Sequence, residues 1–149
     1  KADRTGLGGL DKSFPDKKGL KRTGWFLFVD VDYFKAINDT FGHSTGDKVL
    51  KEIAEHLQNV FGEEGKVGRI GGDEFAVIVE LEQRLDHFLE TIAGILPDKK
   101  VSCSIGAYEF DFPQAVTHLL TETDEMLYKA KEKGRACYVV KGGSLQEHG

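Results

Sequence analysis

The chain has 149 residues, a formal net charge of −5 at pH 7 and a sequence pI near 5.5. This length fits one domain that can bury a core without disulfides or a structural metal. The acidic balance argues against a general nucleic-acid binder, whose surface is usually basic, so any phosphate site must be local. The longest apolar runs have about five residues, whereas a membrane-spanning helix needs about 20.

The two cysteines and the first residue bear on the cellular setting. Cys103 and Cys137 lie in separate apolar segments without metal-ligand spacing, which favours buried free thiols in a reducing compartment. We therefore expect the domain to be cytoplasmic. Because the sequence begins at Lys1 rather than Met, we expect a longer protein, in which regulatory or sensor domains and a membrane attachment are open possibilities.

Hydrophobic periodicity predicts alternating strands and helices. The apolar run at 25–29 suits a strand buried on both faces, and Phe34, Ile37 and Phe41 recur at helical spacing before Gly42. In chain order we predict a strand at 25–29, helices at 33–41 and 44–61, strands at 67–70 and 75–81, a helix at 85–96 stopped by Pro97, a strand at 101–108, a helix at 115–133 and a strand at 136–141.

These elements predict one folded unit with two less regular ends. Residues 1–24 are expected to be partly irregular, with one short helix around Leu10, and residues 142–149 form a tail. Between them, helices interleave with strands, and one connection is a hairpin with its tip at 71–74. This pattern predicts an α+β fold (α/β two-layer) with a mixed, partly antiparallel sheet flanked by helices.

Acidic side chains follow two of the predicted strands. Asp30 ends the first strand and Asp32 follows it closely, while Asp73 and Glu74 lie on the glycine-rich hairpin tip. Carboxylates at neighbouring strand ends can share Mg²⁺ with substrate phosphates. The alternative for the first pair is that Asp32 caps a helix and Asp30 accepts turn hydrogen bonds. For the second pair, the alternative is an ordinary Gly-Asp turn.

Four ordered motifs resemble those of the GGDEF family of diguanylate cyclases. They are RIGGDEF at 69–75, FVDVDYFKAINDTFGHSTGD at 28–47, SCSIG at 102–106 and DEMLYKAKEKGR at 124–135. The resemblance covers about residues 26–140, so residues 25–141 are identified as a GGDEF domain. It implies a fold like the palm of nucleotide cyclases and polymerases (ferredoxin-like), in agreement with the mixed sheet.

The resemblance assigns the acidic residues to a metal site. It implies that Asp30, the Val31 carbonyl and Asp73 hold Mg²⁺ (or Mn²⁺), and that Glu74 is a second metal ligand or a base. Asp73 and Glu74 are therefore the expected catalytic residues. Metal bridging the phosphates would stabilise the charge that develops during phosphoryl transfer.

The resemblance also implies how the triphosphate is bound. Backbone groups around Phe34 and Lys35 would meet the β- and γ-phosphates, and Lys131 and Arg135 match the phosphate-binding basic pair of the family. From the residues alone, the alternative for this pair is a solvated helix end, where cations interact favourably with the helix dipole.

Asn38 and Asp47 match the family residues that read guanine. A carboxylate can accept hydrogen bonds from the guanine N1–H and exocyclic amine, which adenine does not present in that form. Asp47 therefore favours GTP over ATP. The alternative is structural, because Ser44 and Asp47 have the spacing of a capping box at a helix start.

Three departures from the family pattern are visible. Gly9 and Leu10 stand where the family usually has Asn and Arg, which affects contacts near the substrate or the dimer interface. Ala136 replaces a common Asn. The family's R-x-x-D feedback site corresponds to Gly62 and Gly65, so we predict no product inhibition through that site.

Together these features predict an enzyme that joins two GTP molecules into cyclic di-GMP and releases two pyrophosphates. It would act as a homodimer, because each copy presents only one GTP to the shared reaction centre. The alternative is a catalytically inactive GTP-binding sensory or docking module, which the intact site residues disfavour. A cyclase with a mixed GMP–AMP product is disfavoured by Asp47, and no nucleic-acid partner is expected.

Overall fold

The computed structural model describes residues 23–63, 65–79, 84–111 and 114–142. Within these ranges it contains β1 (Thr23–Val31), α1 (Phe34–Phe41), α2 (His43–Phe61), β2 (Gly65–Arg69), β3 (Glu74–Val79), α3 (Leu85–Ile92), β4 (Cys103–Asp111), α4 (Val116–Glu132) and β5 (Tyr138–Lys141). The predicted helix around Leu10 and the tail beyond Gly142 lie outside the described residues.

The five strands form one sheet in the order β2-β3-β1-β4-β5. β1 lies at the centre and pairs antiparallel with both β3 and β4. β2 is antiparallel to β3, whereas β5 is parallel to β4. This arrangement confirms the predicted α+β class with a mixed, partly antiparallel sheet flanked by helices.

The two faces of β1 explain its continuous apolar sequence. Trp25, Leu27 and Val29 belong to the main core, together with buried residues of α1, α2 and α3. Phe26 belongs to a second cluster on the other face, with Leu119 of α4. Because successive strand residues point to opposite faces, a central strand covered on both sides needs apolar residues at every position. The prediction of a strand buried on both faces is confirmed.

Helix α4 approaches the sheet closely at Gly106 of β4. A Cβ added at Gly106 would overlap the Leu127 backbone nitrogen and lie 2.5 Å from the Thr123 carbonyl oxygen. Only a residue without a side chain fits here, because the neighbouring atoms belong to the helix backbone. Gly106 therefore sets the distance between the sheet and α4, the helix that carries Lys131.

The predicted end of the third helix is wrong. We predicted a helix to Leu96, but α3 ends at Ile92. The Ile95 N–H donates to the Ile92 carbonyl at 3.1 Å. This bond spans three residues, as in a turn, whereas an α-helical bond spans four. Ile95 and Leu96 still pack against the core, so they continue the apolar spacing of the helix without its backbone.

Both cysteines are free and buried, as predicted. Burial raises the pKa of the Cys103 thiol well above its ordinary value, and burial also raises the pKa of the Cys137 thiol. A thiol whose pKa is raised stays protonated, and protonated thiols are poor nucleophiles and metal ligands. The two cysteines therefore contribute to packing rather than to the chemistry of a site.

Candidate active site

The sheet register brings three acidic side chains together. Asp30, near the end of β1, pairs with Glu74 at the start of β3. The Val31 N–H donates to the Asp73 carbonyl at 3.1 Å, which holds the hairpin tip against the end of β1. One carboxylate oxygen from each of Asp30, Asp73 and Glu74 lies within 4.8 Å of the others.

The surroundings of Asp30 fit a divalent cation. Asp30 is only 7 % exposed. Its Oδ2 forms an ion pair with Lys131 Nζ, but its Oδ1 is buried and has no hydrogen-bond partner among the described residues. Buried acceptors are nearly always paired, and clustered carboxylate oxygens are the ligands that Mg²⁺ prefers. The carboxylate cluster, with the Val31 backbone beside it, is therefore suited to a hard metal ion.

The electrostatics of Asp30 also favour a divalent cation at this cluster. The pKa of Asp30 is raised from 3.8 to about 6, and burial is the largest cause. The hydrogen bond from Lys131 opposes this increase, whereas the negative charges of Asp73 and Glu74 contribute to it. One lysine does not neutralise three neighbouring carboxylates, so a divalent cation would relieve the remaining repulsion.

The hairpin tip is held by a residue that sequence reasoning did not single out. Arg69 donates from Nε to the Gly71 carbonyl at 3.1 Å and from Nη2 to the Gly72 carbonyl at 2.6 Å. A Cβ at Gly71 would lie 2.6 Å from Glu74 Oε1, so the glycine leaves space for that carboxylate. An arginine two residues before a Gly-Gly turn was the available signal. The turn is thus built around Glu74, and the Gly-Asp turn alternative alone does not account for the site.

Asp32 does not cap a helix, which was the alternative role that the sequence suggested for it. We considered that it caps a helix, but α1 begins at Phe34, its N-cap is Tyr33, and no side chain caps it among the described residues. The buried Asp32 carboxylate instead accepts hydrogen bonds from Ser102 Oγ and Ser104 Oγ, both at 2.6 Å, and from the Ala136 N–H at 2.9 Å. Asp32 therefore connects β1, β4 and the turn after α4.

The residues expected to bind the triphosphate lie on two sides of the carboxylate cluster, at the start of α1 and at the end of α4. Phe34 and Lys35 begin α1, and their backbone N–H groups lie at a helix N-terminus, which favours anions. The Lys35 side chain is 90 % exposed and pairs with Asp39 at 3.3 Å. Lys131 contacts the carboxylate cluster through Asp30. The Arg135 guanidinium carbon lies 5.0 Å from the centre of the Tyr33 ring.

Asn38 and Asp47, the predicted guanine-reading residues, lie on α1 and the first turns of α2. A Cβ at Gly46 would overlap Asn38 Oδ1, so the glycine allows this side chain to lie against α2. Asn38 Oδ1 is buried and has no hydrogen-bond partner in the part of the chain that the structure describes. A buried amide oxygen without a partner is expected where a ligand supplies the donor.

Asp47 is exposed beside a cleft of about 600 Å³ between α2 and the β2–β3 hairpin. The capping-box alternative is wrong, because α2 begins at His43 with Gly42 as its N-cap, and no side chain in the described part of the chain caps it. The carboxylate is thus available to the cleft, whose lining consists of Asp47, Leu50, Lys51, Ala54, Gln58, Val67, Gly68, Arg69 and Phe75.

Comparisons with known proteins agree with this geometry. The family model described as "Diguanylate cyclase, GGDEF domain" matches residues 9–137. The chain is 43 % identical over 131 residues to the probable diguanylate cyclase DgcI of Escherichia coli K12, covering 84 % of this chain and 30 % of that protein. It is 37 % identical over 120 residues to the diguanylate cyclase DgcS of Shewanella oneidensis, covering 75 % of this chain and 40 % of that protein.

The fold is also similar to a solved structure that shows a microbial GGDEF domain interacting with cyclic di-GMP. The TM-score is 0.76 at 26 % identity, and the match covers 91 % of this chain and 88 % of the other. The chain spans less than half the length of the two curated relatives. Within the described ranges, we find no helix with the length and apolar character needed to cross a membrane.

Proposed function

The chain belongs to the GGDEF family of diguanylate cyclases, and on this premise we propose that it condenses two GTP molecules into cyclic di-GMP with release of two pyrophosphates. The observation that carries the proposal is the cluster of Asp30, Asp73 and Glu74 around the buried, unpaired Oδ1 of Asp30. Such a cluster is costly to fold without a cation, so its presence supports a working metal site.

Asp30, Asp73 and Glu74 would hold Mg²⁺ or Mn²⁺, together with the Val31 carbonyl. When bound, the metal would neutralise phosphate charge and stabilise the charge that develops in the transition state. Asp73 and Glu74 follow the turn whose backbone carbonyls Arg69 binds, so the backbone that carries the two carboxylates is held before substrate binds. Preorganised groups of this kind avoid reorganisation during the reaction.

The triphosphate would lie between the α1 N-terminus and the two basic residues of the α4 region. The N–H groups of Phe34 and Lys35 would donate to the outer phosphates, and Lys131 and Arg135 would supply positive charge from the other side. In the reaction, the 3′-oxygen of one GTP attacks the α-phosphorus of the other, the bond to the β-phosphate bridging oxygen breaks, and pyrophosphate leaves. Glu74 would act either as a metal ligand or as the base that accepts the 3′-hydroxyl proton.

Guanine would be read by Asn38 and Asp47. The Asp47 carboxylate can accept from both N1–H and the exocyclic amine, and the unpaired Asn38 Oδ1 needs a donor. Adenine has no N1–H and no amine on C2, so it cannot donate twice to the Asp47 carboxylate, and we expect ATP to bind weakly and to compete poorly with GTP. A mixed GMP–AMP product would require ATP to occupy this same site.

A homodimer would be needed for turnover. Each copy would offer one GTP, bound at the carboxylate cluster and the proposed guanine site, and cyclic di-GMP needs two nucleotides that attack each other. The reaction rate per chain should therefore rise with protein concentration until dimers dominate.

The first test is incubation of the purified chain at high concentration with GTP and Mg²⁺, followed by chromatographic identification of the products. Asp73→Ala should abolish product because it removes a metal ligand. Asp111→Asn is the control, since Asp111 lies at the opposite end of β4. Cyclic di-GMP from the wild type and the control, but not from Asp73→Ala, supports the proposal. GTP binding without product would favour the inactive sensory or docking module instead.

A further inference from the structure

Two left-handed turns face each other beside the carboxylate cluster. Among the described residues, Tyr33 at φ 55°, Arg135 at φ 68° and Ala136 at φ 53° are the non-glycine residues with positive φ. Tyr33 lies between β1 and α1, and the other two lie between α4 and β5. Non-glycine residues in this conformation are sterically disfavoured and persist where the surrounding structure holds them, often at functional sites.

Two contacts join these turns. The Ala136 N–H donates to Asp32 Oδ2 at 2.9 Å, and the Arg135 guanidinium lies 5.0 Å from the centre of the Tyr33 ring. Asp32 itself cannot turn away easily, because Ser102 Oγ and Ser104 Oγ also donate to its carboxylate at 2.6 Å. One contact fixes the peptide directly after Arg135, and the other fixes the charged end of its side chain.

We propose that Asp32 and Tyr33 are positioning residues for a nucleoside triphosphate: they hold Arg135 in the orientation in which its guanidinium meets the phosphates. This inference rests on the proposed function, because it takes Arg135 as a phosphate ligand. A guanidinium binds phosphate through a planar fork of donors, so its orientation matters as well as its charge. A flexible arginine would lose rotamer freedom on binding, whereas an arginine held in advance loses less.

A positioning role makes a prediction that a purely structural role does not. If Asp32 and Tyr33 act through Arg135, their substitution should weaken triphosphate binding only while Arg135 is present. A double-mutant cycle measures this coupling directly. Asp32→Asn keeps the size of the side chain, but its amide cannot accept from all three donors. Tyr33→Asn removes the ring and keeps a residue type that tolerates positive φ.

The experiment measures affinity for the α,β-methylene analogue of GTP in the presence of Mg²⁺ by calorimetry, because this analogue binds as a triphosphate but cannot lose pyrophosphate. We expect Asp32→Asn to weaken binding about tenfold, which equals about 1.4 kcal/mol. We expect Tyr33→Asn to weaken binding about threefold, in line with one partly exposed cation–π contact. In the Arg135→Ala background, both effects should fall below about twofold.

Rescue provides a second measurement. Glycine adopts positive φ without steric cost, so Ala136→Gly should restore part of the affinity that Asp32→Asn loses. The matched control is Asp111→Asn, the same chemical change on an exposed carboxylate that accepts from Thr23 Oγ1 at 3.2 Å. Thr23 lies seven positions along β1 from Asp30. Asp111→Asn should leave the affinity unchanged.

Each outcome separates the two proposals. Equal losses with and without Arg135 would overturn the positioning role and leave the cyclase proposal intact. Wild-type binding of the analogue without any turnover of GTP would contradict the cyclase proposal alone. No binding by the wild type would contradict both. If thermal melting shows Asp32→Asn to be unfolded, the positioning role is tested by the double-mutant cycle of Tyr33→Asn and Arg135→Ala, because Tyr33 is exposed.

Discussion

The fold disfavours the charged form of Asp30 relative to water. Burial is the largest cause that raises its pKa from 3.8 to about 6, and the charges of Asp73 and Glu74 add to it. Because the folded pKa lies above the unfolded one, Asp30 favours folding most below about pH 4. This contribution is lost as the pH rises through about 6. At neutral pH the ionised side chain is therefore a cost to the fold in the absence of metal.

We predict that Asp30→Asn stabilises the metal-free protein at pH 7.5 while it removes the metal site. The free energy of unfolding should rise by about 1–3 kcal/mol, and this gain should shrink as the pH falls from 6 towards 4. Urea denaturation at several pH values in a chelating buffer measures it. Asp111→Asn, on an exposed carboxylate, should show no such pH dependence. A less stable Asp30→Asn at pH 7.5 would mean that the ion pair with Lys131 outweighs burial.

Ala136 shows that a departure from the family pattern has a physical cost. The family resemblance places a common Asn here, and Ala136 adopts φ 53°, a conformation that Asn tolerates better than Ala. We predict that Ala136→Asn raises the free energy of unfolding by about 0.5–1 kcal/mol. Ala136→Val should lower it, because a β-branched residue is least compatible with positive φ. Thermal melting of both variants checks the opposite signs, and equal effects would contradict the argument.

At the scale of elements, helix α4 links packing to the site. Gly106→Ala would place a methyl group against backbone atoms of Thr123 and Leu127, so α4 would have to move away from β4. We predict a loss of about 1–3 kcal/mol of stability. Because α4 carries Lys131, which pairs with Asp30, cyclase activity should fall as well.

The matched control for this change is Gly94→Ala. Gly94 is exposed, and a Cβ there would have no atom within 4 Å. The free energy of unfolding of Gly94→Ala, measured with denaturant beside Gly106→Ala, should stay within about 0.5 kcal/mol of the wild-type value. If Gly106→Ala were equally harmless, the close approach of α4 would not control the sheet–helix distance.

Element order could be predicted from the sequence, but the contacts that end elements could not. Apolar spacing identified α1, α2 and α4, because their periodic faces are local features. The predicted end of α3 was wrong, since Ile95 and Leu96 continue the apolar spacing of the helix in a turn. The capping alternative for Asp32 was also wrong: its partners Ser104 and Ala136 lie 72 and 104 residues away, beyond the reach of any local pattern.

At the scale of the whole molecule, topology assembles the site. The central position of β1 brings the end of one strand next to the hairpin tip and to α4, so Asp30, Asp73 and Lys131 meet although they are far apart in sequence. From the residues alone, the structural alternative was the stronger one for Asp30 and Asp32 and at least as strong for Asp73 and Glu74. The family resemblance identified the cluster, and the sheet register explains why it forms. The contacts by which Arg69 and Asp32 support the site became visible only in the fold.

We expect no product feedback on the proposed activity through the family's feedback site. The positions that match the family's feedback arginine and aspartate are Gly62, at the C-terminal end of α2, and Gly65, at the start of β2. Neither residue can offer a guanidinium or a carboxylate to a bound nucleotide, and a Cβ at Gly65 would overlap the Ile78 carbonyl. We therefore expect initial rates of pyrophosphate release to be unchanged when cyclic di-GMP is added at concentrations up to that of GTP. A fall in rate that persists at saturating GTP would contradict this expectation and require a feedback site built from other residues, because simple competition at the active site is overcome by substrate.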